Sequence, residues 1–141
     1  MLAHVGPRLL DAAQSSAVFE DGVVRVELVH ATRPEWTIWA MCDAHGGIAG
    51  VGPAHEHFDP YGARPDDPPW TSELVDFVAM LLRGELELEA TFRGDALLNV
   101  RTYVVGAEGR SAVHATTGFL PPGRLLLWRR KRTVVERPTF L

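Results

Sequence analysis

The chain has 141 residues, 46% of them hydrophobic and 23% charged, with a formal net charge of −4. This is the composition of one ordinary globular domain, long enough to bury a core, and its acidic balance argues against nucleic acid and anionic membrane as partners. A single cysteine, Cys42, excludes an internal disulfide and fits a reducing compartment, and MLAHVGPRLLDAAQ lacks the pattern of a secretion signal, so a cytoplasmic setting is expected.

No apolar run approaches the ~20 residues of a transmembrane helix. Thirteen of the fourteen basic residues are Arg, which reads as the codon bias of a GC-rich bacterial genome rather than a guanidinium-specific site.

In chain order, Pro7 to Phe19 reads as a short helix, with Leu9, Leu10, Ala13 and Ala17 on one side. Asp21-Gly22 is a turn into a strand over Val23 to Ala31, which Arg33-Pro34 breaks. Glu35 to Cys42, EWTIWAMC, is a second strand. Asp43 to Trp70 is rich in Gly, Pro and His, and apart from a little strand over Ile48 to Gly52 it is expected to be loop, of the long kind that is often functional.

The following stretch, Trp70 to Val105, organises the rest. Leu74, Phe77, Val78 and Leu81 form an apolar stripe at helical spacing, widened by Val75 and Leu82, which predicts a helix over about 72–83. Asp67, Thr71 or Ser72 would cap its start, and Gly84 would end it. Leu86, Leu88, Ala90 and Phe92 then alternate with Glu85, Glu87, Glu89 and Thr91, a strand with one apolar and one acidic face. A two-residue turn at Gly94-Asp95 would put Arg101 opposite Leu88 towards the core. A three-residue loop instead pairs Leu86 with Val104, Leu88 with Thr102, Ala90 with Val100 and Phe92 with Leu98, and sets Glu89 against Arg101 outside. Past a turn at 106–109, a strand over Arg110 to Thr117 pairs Val105 with Arg110 and brings His114 beside Arg101. Gly118 to Gly123 is a loop, and Arg124 to Arg137 the last strand.

Three groups of residues carry candidate chemistry. In an extended backbone His55, His57 and Asp59 project to one side, so two imidazoles and a carboxylate converge on a site for a divalent transition metal, with Cys42, Asp43 or His45 as a further donor. The H-x-H core resembles that of the cupin barrels, but Ala49 stands where their glycine belongs, and Tyr61 and Gly62 where their Glu would follow. No fourth ligand stands at a convincing distance in sequence, so partner contact through His55, His57, Asp59 and Tyr61 is preferred to metal. The second group is the outer row Glu87, Glu89, Arg101, Tyr103 and His114, suited to a polar ligand but equally to a solvated sheet face. The third, Arg129-Arg130-Lys131-Arg132, alternates along a strand, so at most half its charges share a face; its expected partner is the Glu85/Glu87/Glu89 strip, in this chain or on a second copy.

The sum is an α+β domain over 1–141, a curved antiparallel sheet of about six strands with the central helix on one face. Its element order is similar to that of the cone-shaped NTF2-like domains, a likeness that implies a pocket lined by Leu86, Leu88, Ala90, Leu98, Val100, Thr102, Val104, Ser111, Val113 and Ala115. No titratable group is among them. The expected function is thus a non-catalytic bacterial interaction module for a protein partner, of the toxin-neutralising type, without cofactor; whether it is a monomer or a homodimer is left open by the sequence. The alternative is an NTF2-like ligand-binding domain or enzyme whose site is built from 43–70, with or without metal.

Overall fold

The computed structural model describes residues 8–118 and 130–141, with the backbone alone for 112–118. It is an α+β fold of nine antiparallel strands in two sheets with one α-helix among the described residues. The first sheet has the order β1-β2-β3-β4-β5, formed by Ser16–Glu20, Val23–Leu28, Ile38–Cys42, Gly47–Val51 and Ala54–Phe58. The second has the order β8-β7-β6-β9, formed by Gly109–Gly118, Ala96–Gly106, Leu86–Arg93 and Lys131–Glu136. The helix α1, Trp70–Leu82, joins them.

The α+β class stands, while the expected single sheet of about six strands is divided in two, and the element order no longer follows the NTF2-like one. Two expectations changed for physical reasons. The N-terminal helix does not form over residues 8–19: the Asp11 carboxylate accepts the N–H groups of Ala13 and Gln14 in a local turn. Beyond it, β1 pairs with β2 through a two-residue turn, Asp21 at φ 52° and Gly22 at φ 77°, the left-handed pair that matches strand twist. Within 43–70, residues 47–58 form a hairpin whose first strand is close to the one expected over Ile48 to Gly52, with 43–46 the turn before it and 59–69 the loop after it. Val51 pairs with Ala54 around Gly52-Pro53, with Gly52 at φ 54°.

The helix ends as expected. Gly84, at φ 70°, donates to the Leu81 carbonyl and Glu85 to the Met80 carbonyl, the double closure of a Schellman motif. Its start is different: Pro69 precedes it without a side-chain cap, and Asp67 instead accepts the N–H of Arg64 at 2.6 Å. Leu74, Phe77 and Leu81 are buried, but Val75 faces solvent. They pack on Ile38, Ala40, Ala49, Val51 and Phe58 of the first sheet, with Leu86 and Phe140 closing the cluster. Gly47 is what lets the helix approach, since a Cβ there would lie 2.6 Å from the Leu74 Cδ1.

The β6–β7 register is the expected one from Leu86/Val104 to Thr91/Asn99. A bulge then shifts the pairing to Phe92/Leu97 and Arg93/Ala96, so the turn has two residues after all and the bulge absorbs Leu98. Between β7 and β8 the pair Val105/Arg110 holds. Further irregularities then place Thr102 opposite Ala115 and Arg101 opposite Thr116, so His114 is not the cross-strand neighbour of Arg101. The last strand begins at Lys131; residues 124–129 of the longer one expected, with Trp128 and Arg129, lie outside the described residues, as do 119–123 of the loop before it.

Candidate functional site

The inner face of the second sheet is built from cross-strand rows. Val134, Ala90 and Val100 form the middle one, flanked by Glu136, Leu88 and Thr102 on one side and by Arg132, Phe92 and Leu97 on the other. Ala90 is the short side chain between Leu88 and Phe92 on β6, and it leaves a depression in the floor. Opposite stand Trp36 and the β4–β5 turn, Val51 to Ala54. Together these walls enclose a cleft of about 250 Å3. Leu88, Ala90 and Val100 are pocket residues expected from the sequence; Phe92, Leu97 and Val134 are additions. Leu86 and Thr102 are instead buried.

The charged groups of the lining, Glu35 and Glu136, gather at the Trp36 end. There the Trp36 Nε1 donates to the Glu136 Oε2 at 2.9 Å, and the Arg33 guanidinium lies 4.1 Å from the Trp36 ring. Arg33 also hydrogen-bonds Glu35, whose carboxyl it holds below the ordinary carboxylate range, and reaches Glu136 at 3.7 Å. Arg132, outside the lining, stacks 4.5 Å from the ring of Phe92, which belongs to it. Trp36 is braced from behind by His30, whose ring meets it edge-on at 5.4 Å.

His30 is buried, and its hydrogen bonds fix the tautomer. The Nδ1 accepts the backbone N–H groups of Arg33 and Thr32, so the proton is on Nε2, which donates to the Thr139 carbonyl at 2.9 Å. Neither His30 nor Glu136 is signalled by any local motif. Trp36 and Glu136 are a hundred residues apart, and only the folded sheets bring them together.

The histidines lie elsewhere, on the outer face of the first sheet. His55 and His57 do share a face of β5, ring centroids 5.2 Å apart, and His55 is 6.1 Å from Trp39. Trp39 lies opposite Gly50, which lies opposite His55, and a Cβ on Gly50 would collide with the Ala54 carbonyl at 2.0 Å. The Asp59 carboxylate turns back to accept the N–H of Tyr61, while Asp43 accepts the N–H of His45, which holds its carboxyl below the usual range. Hence no three His, Cys, Asp or Glu side chains converge among the described residues. Tyr61 is exposed on the loop.

The acidic row is rearranged. Arg110, not Arg101, is the partner of both carboxylates: its guanidinium hydrogen-bonds Glu87 and reaches Glu89 at 2.7 Å, lying 4.3 Å from the Tyr103 ring. Glu89 and Glu87 in turn raise the pKa of Arg110. Glu85 pairs with Arg83, which lowers its carboxyl, so Arg83 and Arg110 occupy the strip expected for the 129–132 run. Arg101 is exposed, and His114 lies on β8 with its side chain outside the described residues. Of the basic run, Arg132 stands opposite Phe92 and Lys131 opposite Arg93. No helix among the described residues is long and apolar enough to cross a membrane. No protein-family model matches the chain, and no curated protein or solved structure matches it either.

Proposed function

We propose that this protein is a non-catalytic interaction module that holds an apolar side chain of a protein partner in the cleft between its sheets. One observation carries the reading. The cleft is preformed and apolar on its floor, and its two carboxylates, Glu35 and Glu136, are already held by Arg33 and Trp36. A carboxylate so engaged orients and recognises; an apolar slot with one polar end is how interfaces seat an aromatic or branched anchor. The single cysteine and the Arg-rich composition support a bacterial cytoplasmic setting, where small acidic modules of the toxin-neutralising type would belong.

Ala90→Phe tests this, because it fills the floor without touching the rim. Peptides selected from a random display library on the wild-type protein are expected to carry an apolar anchor. They are expected to lose at least about tenfold in affinity, ~1.4 kcal/mol, against the plugged variant. Thermal stability should be retained. Peptides that bind the folded variant as tightly as the wild type would overturn the proposal.

A further inference from the structure

The edge of the first sheet carries an unused strand. All five residues of β1 are exposed, Phe19 to 74% and Val18 to 47%, and among the described residues no strand lies beyond it. It has no proline, lysine or bulge, its register with β2 is unbroken, and its one charged residue, Glu20, stands at the turn end. Ala17 and Phe19 are on the face that the helix covers further along the sheet, while Ser16, Val18 and Glu20 are on the other.

Its hydrogen-bonding groups can be assigned. The two-residue turn makes Glu20 and Val23 the bonded closing pair, so by alternation Glu20, Val18 and Ser16 bond to β2. The N–H and C=O groups of Ala17 and Phe19 therefore point outward. Upstream the edge is already closed, because the Ser15 N–H is bonded to the Asp11 carbonyl at 2.9 Å. Downstream it ends at Asp21, whose φ of 52° leaves the strand.

We propose that β1 pairs antiparallel with β1 of a second copy of this chain, about a two-fold axis between the two Val18 residues. The pattern SAVFE selects that register. Centred on Val18, each Ala17 faces the other copy's Phe19, small against large, and all four outward groups of each strand are bonded. Ser16 faces Glu20, a hydroxyl donor against a carboxylate, so no like charges meet. Centred on Ala17, Phe19 would face Ser15, whose N–H is taken. Centred on Phe19, the two rings would coincide and Ala17 would face the turn. A shift to odd register would turn the apolar faces to opposite sides. The axis is perpendicular to the sheet, so the two five-stranded sheets become one of ten. An isologous contact of this kind closes on itself and does not propagate. The patch is small, and the dimer forms in a concentration-dependent way.

The test uses the axis. In the Cys42→Ser chain, residues 16 to 20 are replaced by cysteine one at a time and oxidised. Val18 sits in the non-hydrogen-bonded pair, where opposing Cα atoms are about 4.5 Å apart, inside disulfide range. The Val18→Cys chain is expected to form a covalent dimer severalfold faster than its neighbours, and Phe19→Lys added to it is expected to abolish the difference. In the otherwise wild-type chain, sedimentation should show a mass that rises with concentration, and Phe19→Lys should remain monomeric with an unchanged circular dichroism spectrum. Fastest cross-linking at 17 or 19, equal rates at all five positions, or a wild-type mass that stays monomeric at every concentration would each overturn the proposal. None of these outcomes depends on the cleft.

Discussion

Arg110 illustrates what a backbone register leaves open. Glu89 and Arg101 are opposite one another, as the alternation of β6 and β7 requires, yet the ion pair runs from Glu89 to Arg110 on the next strand. A guanidinium on a long stem can lie over the Tyr103 ring and still reach two carboxylates two residues apart on β6. Nothing in a linear sequence ranks that reach against direct opposition. A double-mutant cycle separates the two. Glu89→Arg alone is expected to lower the unfolding midpoint slightly, as changes at exposed ion pairs do. Adding Arg110→Glu should recover part of the loss, whereas adding Arg101→Glu should recover less. Equal recovery from the two, measured by thermal unfolding, would return Glu89 to Arg101. The histidines are a parallel case. Period-two alternation puts His55 and His57 on one face, but whether Asp59 joins them depends on the backbone after Phe58, which leaves the strand and lets the carboxylate cap its own turn.

At the scale of elements, legibility follows the strength of the period. The helix and the β6 strand, with sustained repeats of 3.6 and 2, were readable almost to the residue, and the core face of the helix with them. Of the hairpin β4–β5 only the first strand, expected over Ile48 to Gly52 and found over Gly47–Val51, was readable; the second was not. GIAGV and AHEHF have little β-propensity, because β4 is chosen for smallness: Gly47 admits Leu74, and Gly50 admits the neighbouring backbone. Such a strand is defined by what packs on it, and a window of sequence does not contain that. The β6–β7 turn differs, for a related reason, from the three-residue loop that the sequence predicts. A bulge between Thr91 and Phe92 satisfies both the short two-residue turn and the buried pattern that a three-residue loop would otherwise supply. The best test of the helix is its central core position. Phe77 is 3% exposed, with its ring 5.6 Å from that of Phe58. Phe77→Ala is expected to cost about 3–5 kcal/mol in denaturant unfolding, the range for aromatic deletion from a packed core. Val75→Ala, one face away and exposed, should cost below ~0.5 kcal/mol. Similar losses at both would mean that the helix does not present the face described.

The whole molecule is held together by contacts that span its length, and these had no local signature. Residues 137–140 thread between both sheets and the helix end. Arg137 donates to the Gly84 carbonyl at 2.6 Å, the Phe140 N–H bonds the Leu82 carbonyl at 3.0 Å, and the Leu9 N–H bonds the Phe140 carbonyl at 2.9 Å. Phe140 is fully buried, and its ring lies 4.7 Å from that of His30, which also holds the Thr139 carbonyl. His30 therefore links the 30–36 turn, the C-terminal segment and, through Trp36, the rim of the cleft. His30→Phe keeps the ring and removes its hydrogen bonds, leaving the Arg33 N–H and the Thr139 carbonyl without their side-chain partner. That is expected to cost about 1–3 kcal/mol. Phe140→Ala is expected to cost about 3–5 kcal/mol by opening the core. The pair should be coupled. Once Phe140 no longer anchors the segment, Thr139 can turn to solvent and the loss at His30 shrinks, so the double variant falls short of the sum by more than about 0.5 kcal/mol. Equilibrium unfolding of the four proteins gives that difference directly. Additive losses would show that ring and segment are fixed independently, and the link from the C-terminal segment to the cleft would be lost with them.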